Sequence, residues 1–280
     1  MMHQHSTLNC KGKLLDLSTP VVMGVLNITP DSFFDGGKYD SEFRILKQAE
    51  KMINEGAMIL DIGGMSSRPG AQIIDYQEEL QRVLPAIEVI IKSFPDTILS
   101  IDTLSSKVAK EAVAYGASIV NDISAGSLDG EMFGAVAALG VPYILMHMKG
   151  KPQDMQEKPS YEDVVLEVLD FFIAKIEILK KLGINDIIID PGFGFGKEID
   201  HNFRLLKSLT AFNILGYPIL AGVSRKSFIY KTLNISAKEA LTGTIALNMV
   251  ALEQGAKILR VHDVKEAQET IKIWQSLNGV

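Results

Sequence analysis

The stretch VAKEAVAYGASIVNDI, residues 108–123, holds the pattern that decides the fold of this chain. Apolar residues at helical spacing run as far as Tyr115, Gly116 follows, and residues 119–123 form a short β-branched run. A glycine after a helical pattern favours the left-handed conformation that ends a helix. A short apolar run of this kind is typical of a buried parallel strand. The stretch therefore predicts a helix, a glycine stop and a strand.

The same unit recurs along all 280 residues of the chain. Glycines that close a helical pattern just before a strand are Gly56, Gly116, Gly140, Gly183 and Gly255. Strands are predicted over residues 21–27, 59–63, 98–102, 119–123, 143–147, 187–190, 218–223 and 257–262. This alternation predicts a single (β/α)8 TIM barrel with an N-terminal extension. We expect one domain over residues 1–280, with its core over about residues 20–275; a doubly wound open sheet is the alternative.

The composition excludes several classes of protein. The chain is 47% hydrophobic and 22% charged, which is ordinary for a globular protein. Its net charge is −6, so no bulk attraction to nucleic acid or to an anionic membrane is expected. The single cysteine, Cys10, cannot form an internal disulfide. With no signal-peptide pattern and no long apolar run, the sequence predicts a cytoplasmic protein.

Polar residues collect where the predicted strands end. In such barrels the active site lies at the carboxyl ends of the strands. A turn or a helix cap explains any one of these residues, but seven of the eight strand ends show the same bias. The seven strands end, in chain order, at Asn27; at Gly63, which leads into Ser66; at Asp102; at Asn121 and Asp122; at Asp190; at Ser224, Arg225 and Lys226; and at Arg260, His262 and Asp263.

These residues divide by chemistry into two halves. The first half suits phosphate oxygens, because arginine offers a fork of parallel hydrogen bonds; it consists of Ser66, Ser67, Arg68, Arg260 and His262. Asn27 can share this half directly or through Mg²⁺, which prefers oxygen ligands. The alternative is that the arginines only pair with Asp35, Asp263 or other acids.

The second half suits a neutral heterocycle. A carboxylate accepts two parallel N–H bonds, as a pterin or guanine edge would offer. The residues are Asp102, Asn121, Asp190 and Lys226. A metal site on Asp102 and Asp190 competes, although no HxH or cysteine spacing supports it. His147 is either a catalytic residue or a packed structural histidine, and we prefer the second interpretation.

The run GFGFGK, residues 192–197, is not a phosphate-binding Walker loop, because Glu198 follows the lysine. Its glycines allow the loop to lie over a ligand, with Phe193 or Phe195 as an apolar wall.

Eight motifs together resemble the dihydropteroate synthase family. They are GVLNITPDSFFDGG (24–37), GGMSSRPG (63–70), SIDT (100–103), NDI (121–123), LMHMKG (145–150), DPGFGFGK (190–197), SRKSFI (224–229) and RVHD (260–263). The resemblance covers about residues 20–275. It implies a Mg²⁺-dependent, homodimeric transferase of folate biosynthesis that is a target of sulfonamides. Such an enzyme joins 6-hydroxymethyl-7,8-dihydropterin diphosphate to p-aminobenzoate and gives 7,8-dihydropteroate and diphosphate.

The resemblance also assigns residues to subsites. The pterin contacts it implies are Asp102, Asn121, Ile123, Met146, Asp190, Phe195, Gly222 and Lys226. The diphosphate contacts are Asn27, Ser67, Arg68, Arg260 and His262, with Asn27 also the Mg²⁺ ligand. The p-aminobenzoate pocket is Phe33, Ser67, Pro69, Lys226 and Ser227. The residues that act in the reaction are Asp35, Arg68, Lys226, Arg260 and His262.

The implied chemistry is early loss of diphosphate from the pterin methylene under two closing loops, residues 28–38 and 64–75, with Asp35 pairing with Arg68. We expect substitution of Arg260 to slow turnover while sparing the affinity for the unphosphorylated pterin.

Two positions depart from the family pattern: Met65 replaces the usual glutamate, and Ser67 replaces the usual threonine. The alternative functions are a pterin-binding methyltransferase domain and a catalytically silent pterin-binding barrel.

Overall fold

The computed structural model describes residues 6–29, 38–65, 74–150, 155 and 159–279. Its strands are β1 (Thr7–Cys10), β2 (Lys13–Asp16), β3 (Val21–Asn27), β4 (Ala57–Gly63), β5 (Ile98–Asp102), β6 (Ile119–Asp122), β7 (Tyr143–Met146), β8 (Ile187–Asp190), β9 (Ile219–Ala221) and β10 (Ala256–Val261). Strands β3 to β10 are parallel and close into a barrel, in which β10 pairs with both β9 and β3. The predicted TIM barrel is thus confirmed. The open doubly wound sheet is excluded, because it would keep two unpaired edges.

Helices surround the barrel. Those in the described ranges are α1 (Lys38–Asn54), α2 (Tyr76–Ser93), α3 (Ser106–Tyr115), α4 (Met132–Leu139), α5 (Val164–Lys181), α6 (Ile199–Lys207), α7 (Ser227–Leu233), α8 (Leu241–Glu253) and α9 (Val264–Asn278). None of these helices is long and apolar enough to cross a membrane. The five predicted stop glycines all have positive φ, from +61° at Gly140 to +127° at Gly116. The left-handed backbone predicted at these positions is therefore present.

The N-terminal extension is a hairpin that closes the floor of the barrel. Strands β1 and β2 pair antiparallel. Their inward side chains join the apolar cluster that fills the lower barrel interior, which contains Leu8, Cys10, Leu15, Leu17, Val21, Met23, Ile59, Ile98, Ile119, Ile144, Ile188, Leu220 and Ile258. Hydrogen bonds fix the hairpin at its tip, where Lys11 Nζ donates to the Val113 carbonyl at 2.8 Å, and at Asn9, whose N–H donates to Asp186. Ligands can therefore enter the barrel only from the opposite end.

Candidate active site

The inward positions of the strands change from apolar to polar toward the mouth of the barrel. Side chains two residues apart on a strand face the same side of a sheet. The apolar floor contains Ile59, Ile119, Ile188 and Ile258. Two residues further along the same four strands stand Asp61, Asn121, Asp190 and Arg260. The polar mouth at the carboxyl ends of the strands is therefore where the sequence predicts it.

Arg260 is held between two carboxylates in this mouth. Its Nε donates to Asp61 Oδ2 at 2.7 Å, and its Nη2 donates to Asp102 Oδ2 at 2.8 Å. The Asp61 side chain is fully buried and that of Arg260 is 16% exposed, so water screens these charges little. The sequence assigns Arg260 to the phosphate half and Asp102 to the heterocycle half. The structure joins the two halves at this guanidinium, so pairing of Arg260 with acids, one of the alternatives, is present.

Asp61 is the residue of this mouth that sequence motifs do not single out. Besides its bond to Arg260, Asp61 Oδ2 accepts a hydrogen bond from Asn121 Nδ2 at 3.1 Å. Its Oδ1 has no hydrogen-bond partner among the described residues. A signal is present in the sequence, because Asp61 is the charged residue of the otherwise apolar strand β4 and shares a face with Ile59. It lies in mid-strand, whereas the polar residues of a mouth are expected at strand ends.

The bond from Asn121 to Asp61 fixes the orientation of the Asn121 amide. One N–H of the amide is used, which leaves the second N–H and the oxygen as a donor beside an acceptor. The neighbouring Asp122 faces away from the barrel interior and accepts from Ser124 N and from Tyr143 Oη at 2.8 Å. Asp122 is thus a structural residue and Asn121 a candidate for ligand binding.

Asp190 and Lys226 meet beside the loop that follows β8. Asp190 Oδ1 accepts from the Gly192 N–H at 2.8 Å. Lys226 Nζ donates to the Phe193 carbonyl and lies 4.3 Å from the centre of the Phe195 ring. A Cβ at Gly222 would lie 3.9 Å from both Asp190 Oδ2 and Lys226 Nζ. The structure therefore brings these predicted pterin contacts together.

Burial sets the protonation of the mouth. It raises the pKa of Asp190, with Lys226 opposing the shift. It lowers the pKa of Lys226 to about 8, with Asp190 opposing. It raises the pKa of Asp102 to about 7, with Arg260 opposing and Asp61 adding to the rise. Shifts of this kind, near neutral pH and inside a cleft, are typical of functional sites.

An apolar wall completes the mouth. It is a buried cluster of Leu104, Ile123, Met146, Met155 and Phe195. This cluster includes the three apolar pterin contacts that the resemblance implies. Met65 packs against it, so the methionine that replaces the usual glutamate extends an apolar surface instead of leaving a charge unpaired.

His262 follows β10 at the rim of the mouth. Burial, followed by the charge of Arg260, lowers the pKa of His262 to about 4, so the imidazole is neutral at pH 7. Ser224 Oγ accepts from the His262 backbone N–H at 3.3 Å and lies 3.0 Å from Nδ1. Donation of the hydroxyl proton to Nδ1 leaves the ring proton on Nε2, where it can meet an anion.

Arg225 and Asp263 form a separate pair at the rim. Arg225 donates to both carboxylate oxygens of Asp263, from Nε and from Nη2, each at 2.8 Å. Asp263, which the sequence offered as a partner of Arg260, is therefore paired with Arg225. Arg225 and Asp263 position the chain around the site and leave ligand binding to their neighbours.

Asn27 offers one oxygen to a hard cation. It ends β3 and is half-buried, and a Cβ at Gly63 would lie 3.3 Å from its Oδ1. The glycine thus leaves space beside an oxygen of the kind that Mg²⁺ prefers. No group of three or more His, Cys, Asp or Glu side chains that could hold a metal ion occurs in the ranges that the structure describes.

The remaining predicted contacts lie mostly on the two loops. Ser227 begins α7, directly after Lys226. The others fall outside the described residues: Phe33, Asp35, Ser66, Ser67, Arg68 and Pro69.

Known proteins resemble this chain over almost its whole length. The profile of a family described as pterin binding enzyme matches residues 23–262. The dihydropteroate synthase of Escherichia coli K12 is 47% identical over 268 residues, which cover 95% of this chain and 94% of that protein.

Solved structures agree in the same way. A Yersinia pestis dihydropteroate synthase in a sulfonamide drug complex superposes with a TM-score of 0.92 at 42% identity, covering 98% of this chain and 100% of that one. The Xanthomonas albilineans dihydropteroate synthase in complex with 7,8-dihydropteroate superposes with a TM-score of 0.86 at 35% identity, covering 98% and 99% of the two chains.

Proposed function

This chain belongs to the dihydropteroate synthase family, and from that membership we propose how its mouth performs the reaction. The enzyme is a transferase that joins 6-hydroxymethyl-7,8-dihydropterin diphosphate to p-aminobenzoate in folate biosynthesis. The observation that carries the site assignment is the convergence of five polar side chains in one buried mouth: Asp102, Asn121, Asp190, Lys226 and Arg260.

The pterin ring lies between the polar cluster and the apolar wall. Asp190 Oδ2 accepts the adjacent N–H groups of one pterin edge, and Lys226 donates to the acceptor atoms beside them. Asn121 offers its free N–H and oxygen to the other edge, and Asp102 accepts a ring N–H. The flat faces of the ring contact Met146 and Phe195. A buried set of this kind discriminates well, because a ligand without the matching groups leaves buried atoms unpaired.

The diphosphate lies at the rim, where Arg260 and the Nε2–H of His262 donate to its oxygens. Asn27 would hold Mg²⁺, which would neutralise charge on the leaving group. The described mouth holds three carboxyl groups, those of Asp61, Asp102 and Asp190, and two cations, Arg260 and Lys226. Ionised carboxyl groups beside the ring favour the positive charge that develops on the pterin as diphosphate departs. The weakly basic arylamine then needs no strong base.

The p-aminobenzoate pocket would form when the two loops close over the mouth. Lys226 and Ser227 supply its described edge, and Phe33, Ser67 and Pro69 supply the rest. Closure excludes water, which would otherwise capture the pterin cation. Asp35 and Arg68 would then pair across the loops.

The pH dependence of pterin binding follows from Asp102. Its raised pKa means that the carboxyl group takes up a proton as the pH falls through about 7, and a protonated carboxyl cannot accept the ring N–H in the same way. The affinity for 6-hydroxymethyl-7,8-dihydropterin should therefore fall about tenfold between pH 8 and pH 6. Calorimetric titration across this range measures the effect. Asp102→Asn should bind the pterin more weakly, and its affinity should not fall between pH 8 and pH 6. The same fall in that variant would assign the titration to another group.

The reaction itself is tested by diphosphate release. Purified protein is mixed with the pterin diphosphate and Mg²⁺, with and without p-aminobenzoate. Release that depends on p-aminobenzoate is the expected result. Tight pterin binding with no release would instead favour the catalytically silent barrel and would make Met65 and Ser67 the first positions to revert. Omission of Mg²⁺ in a third arm tests the metal.

We also propose a cytoplasmic homodimer. The outward face of α8 supports the dimer, because it carries Ile245, Ala246, Met249 and Val250, and Val250 is 39% exposed. An apolar outward face is typical of a subunit contact. Sedimentation equilibrium of the purified protein measures its mass in solution.

A further inference from the structure

Lys197 is a buried lysine to which the reaction gives no role. It is 3% exposed and begins no phosphate-binding motif, and burial lowers the pKa of its amino group well below its usual value. Its Nζ lies within hydrogen-bond distance of three backbone carbonyls, those of Gly192 at 3.0 Å, Phe195 at 3.1 Å and His147 at 3.3 Å, and of His147 Nδ1 at 2.9 Å. Its N–H groups are shared among these four acceptors. The amino group therefore connects the loop of residues 191–196 to the residue that follows β7.

His147 is an acceptor in this contact. Burial, followed by the charges of Lys197 and Lys149, lowers the pKa of His147 to about 2, so its imidazole is neutral. Its ring packs edge-on against Phe171, with 4.9 Å between the ring centres. A neutral packed imidazole offers a lone pair to Lys197. His147 is thus the structural histidine that the sequence favours.

The loop is pressed closely against the segment that carries His147. A Cβ at Gly192 would lie 1.9 Å from the His147 carbonyl oxygen, and a Cβ at Gly196 would lie 2.2 Å from the Lys149 carbonyl oxygen. Both glycines have positive φ. The loop can take this path only with glycine at these positions. Lys197 holds the loop there through the carbonyls of Gly192 and Phe195.

The same loop supports the two charged pterin contacts. Its Gly192 N–H binds Asp190, and its Phe193 carbonyl and Phe195 ring both contact the Lys226 ammonium. A Cβ at Gly194 would lie 3.0 Å from Lys226 Cδ, so the lysine stem also rests on the loop. Displacement of the loop would therefore move both Asp190 and Lys226.

We propose that Lys197 is a positioning residue for pterin binding: by tying residues 191–196 to His147, it holds Asp190 and Lys226 in the orientation that meets the pterin. The proposal rests on the proposed function, which places the pterin on Asp190 and Lys226. Because Lys197 acts through these residues, its substitution should lower affinity only while they are present.

A double-mutant cycle with Lys226 tests the proposal. The probe is 6-hydroxymethyl-7,8-dihydropterin, titrated against wild type, Lys197→Met, Lys226→Met and the double variant. We expect each single variant to bind about tenfold or more weakly. The double variant should bind clearly more tightly than the product of the two losses predicts, because part of the effect of Lys197 passes through Lys226 and coupled residues are not additive. A purely structural role of Lys197 would instead multiply the two losses, to about a hundredfold.

The control is Lys149→Met. Lys149 belongs to the same segment as His147, but its ammonium lies over the Tyr161 ring and pairs with Glu167, outside the mouth. The affinity of Lys149→Met for the pterin should stay within about twofold of wild type.

Wild-type affinity in Lys197→Met, or multiplicative losses in the double variant, would overturn the proposal. If Lys197→Met does not fold, the cycle is run with Lys197→Gln, whose shorter side chain keeps an N–H donor, and multiplicative losses in its double variant would overturn the proposal. A wild-type protein that fails to bind the pterin would overturn the proposed function together with this inference, whereas multiplicative losses overturn the inference alone.

Discussion

Arg260→Met should lower kcat/KM by at least about a hundredfold, because removing one donor that stabilises charge in the transition state costs about 2.7–4 kcal/mol. It should also destabilise the fold by about 3–5 kcal/mol, because it breaks a buried ion pair on one side. The substitution leaves two carboxylates, those of Asp61 and Asp102, without their counterion. The pKa of Asp102 should then rise further, since Arg260 is the group that opposes its burial. Steady-state kinetics and titration with the unphosphorylated pterin measure the two consequences.

This result would reverse the expectation that the sequence alone supports. With Arg260 assigned to the diphosphate half, the affinity for the unphosphorylated pterin is expected to be spared. Because Arg260 donates to Asp102, we now expect that affinity to fall as well. Wild-type affinity for this pterin in Arg260→Met would return Arg260 to the diphosphate half alone.

Asp61 supplies a matched rescue of the same variant. Adding Asp61→Asn to Arg260→Met removes one of the two unpaired carboxylates and should recover part of the lost thermal stability. Arg204→Met is the control, because Arg204 and Asp163 form a half-exposed pair at 4.0 Å and such pairs contribute little.

Gly192→Ala should destabilise the fold by about 3 kcal/mol or more and abolish pterin binding. The added methyl would lie 1.9 Å from the His147 carbonyl oxygen. That oxygen cannot retreat freely, because it also accepts from Lys197. The loop must move instead, and Asp190 then loses the Gly192 N–H. Chemical unfolding and pterin titration of the variant measure the two losses.

Gly216→Ala isolates the contact from the backbone strain. Gly216 has φ +77°, close to the +71° of Gly192, but nothing lies within 4 Å of its added Cβ. We expect a loss of about 1 kcal/mol, the cost of a left-handed conformation for an alanine. Equal losses in the two variants would show that the contact with His147 O adds nothing.

The barrel was predictable because each unit of the chain carries its own signals. Residues 108–123 carry the signals for a helix, a glycine stop and a strand within sixteen residues. The predicted bounds of the eight barrel strands lie within two residues of those in the structure. Burial on both faces makes parallel strands apolar throughout. The positive φ of glycines such as Gly116 is equally local, so no long-range information is needed to place them.

The site was predictable in its membership and less so in its connections. The residues at strand ends gather as expected, but the pairing of Arg260 with Asp61 joins positions 199 residues apart. Such a pairing depends on which strands become neighbours when the barrel closes, since β10 meets β3 only then. Lys197 and His147 are separated by fifty residues and meet because they follow the neighbouring strands β8 and β7. Sequence motifs name the groups, and the pairing of the strands decides which of them touch.

The hairpin beneath the barrel makes Cys10 a built-in labelling probe for unfolding. The chain has one cysteine, its side chain is fully buried in the floor, and burial raises the pKa of its thiol to about 12. The thiolate is the nucleophile that attacks a thiol reagent, so Cys10 can react only after the hairpin has left the barrel. At a low concentration of reagent the labelling rate reports how often the floor stands open, and at a high concentration it reports how fast the floor opens. Labelling of Cys10 at the closed end of the barrel can thus measure the opening of the floor, which a ligand bound at the open end would slow.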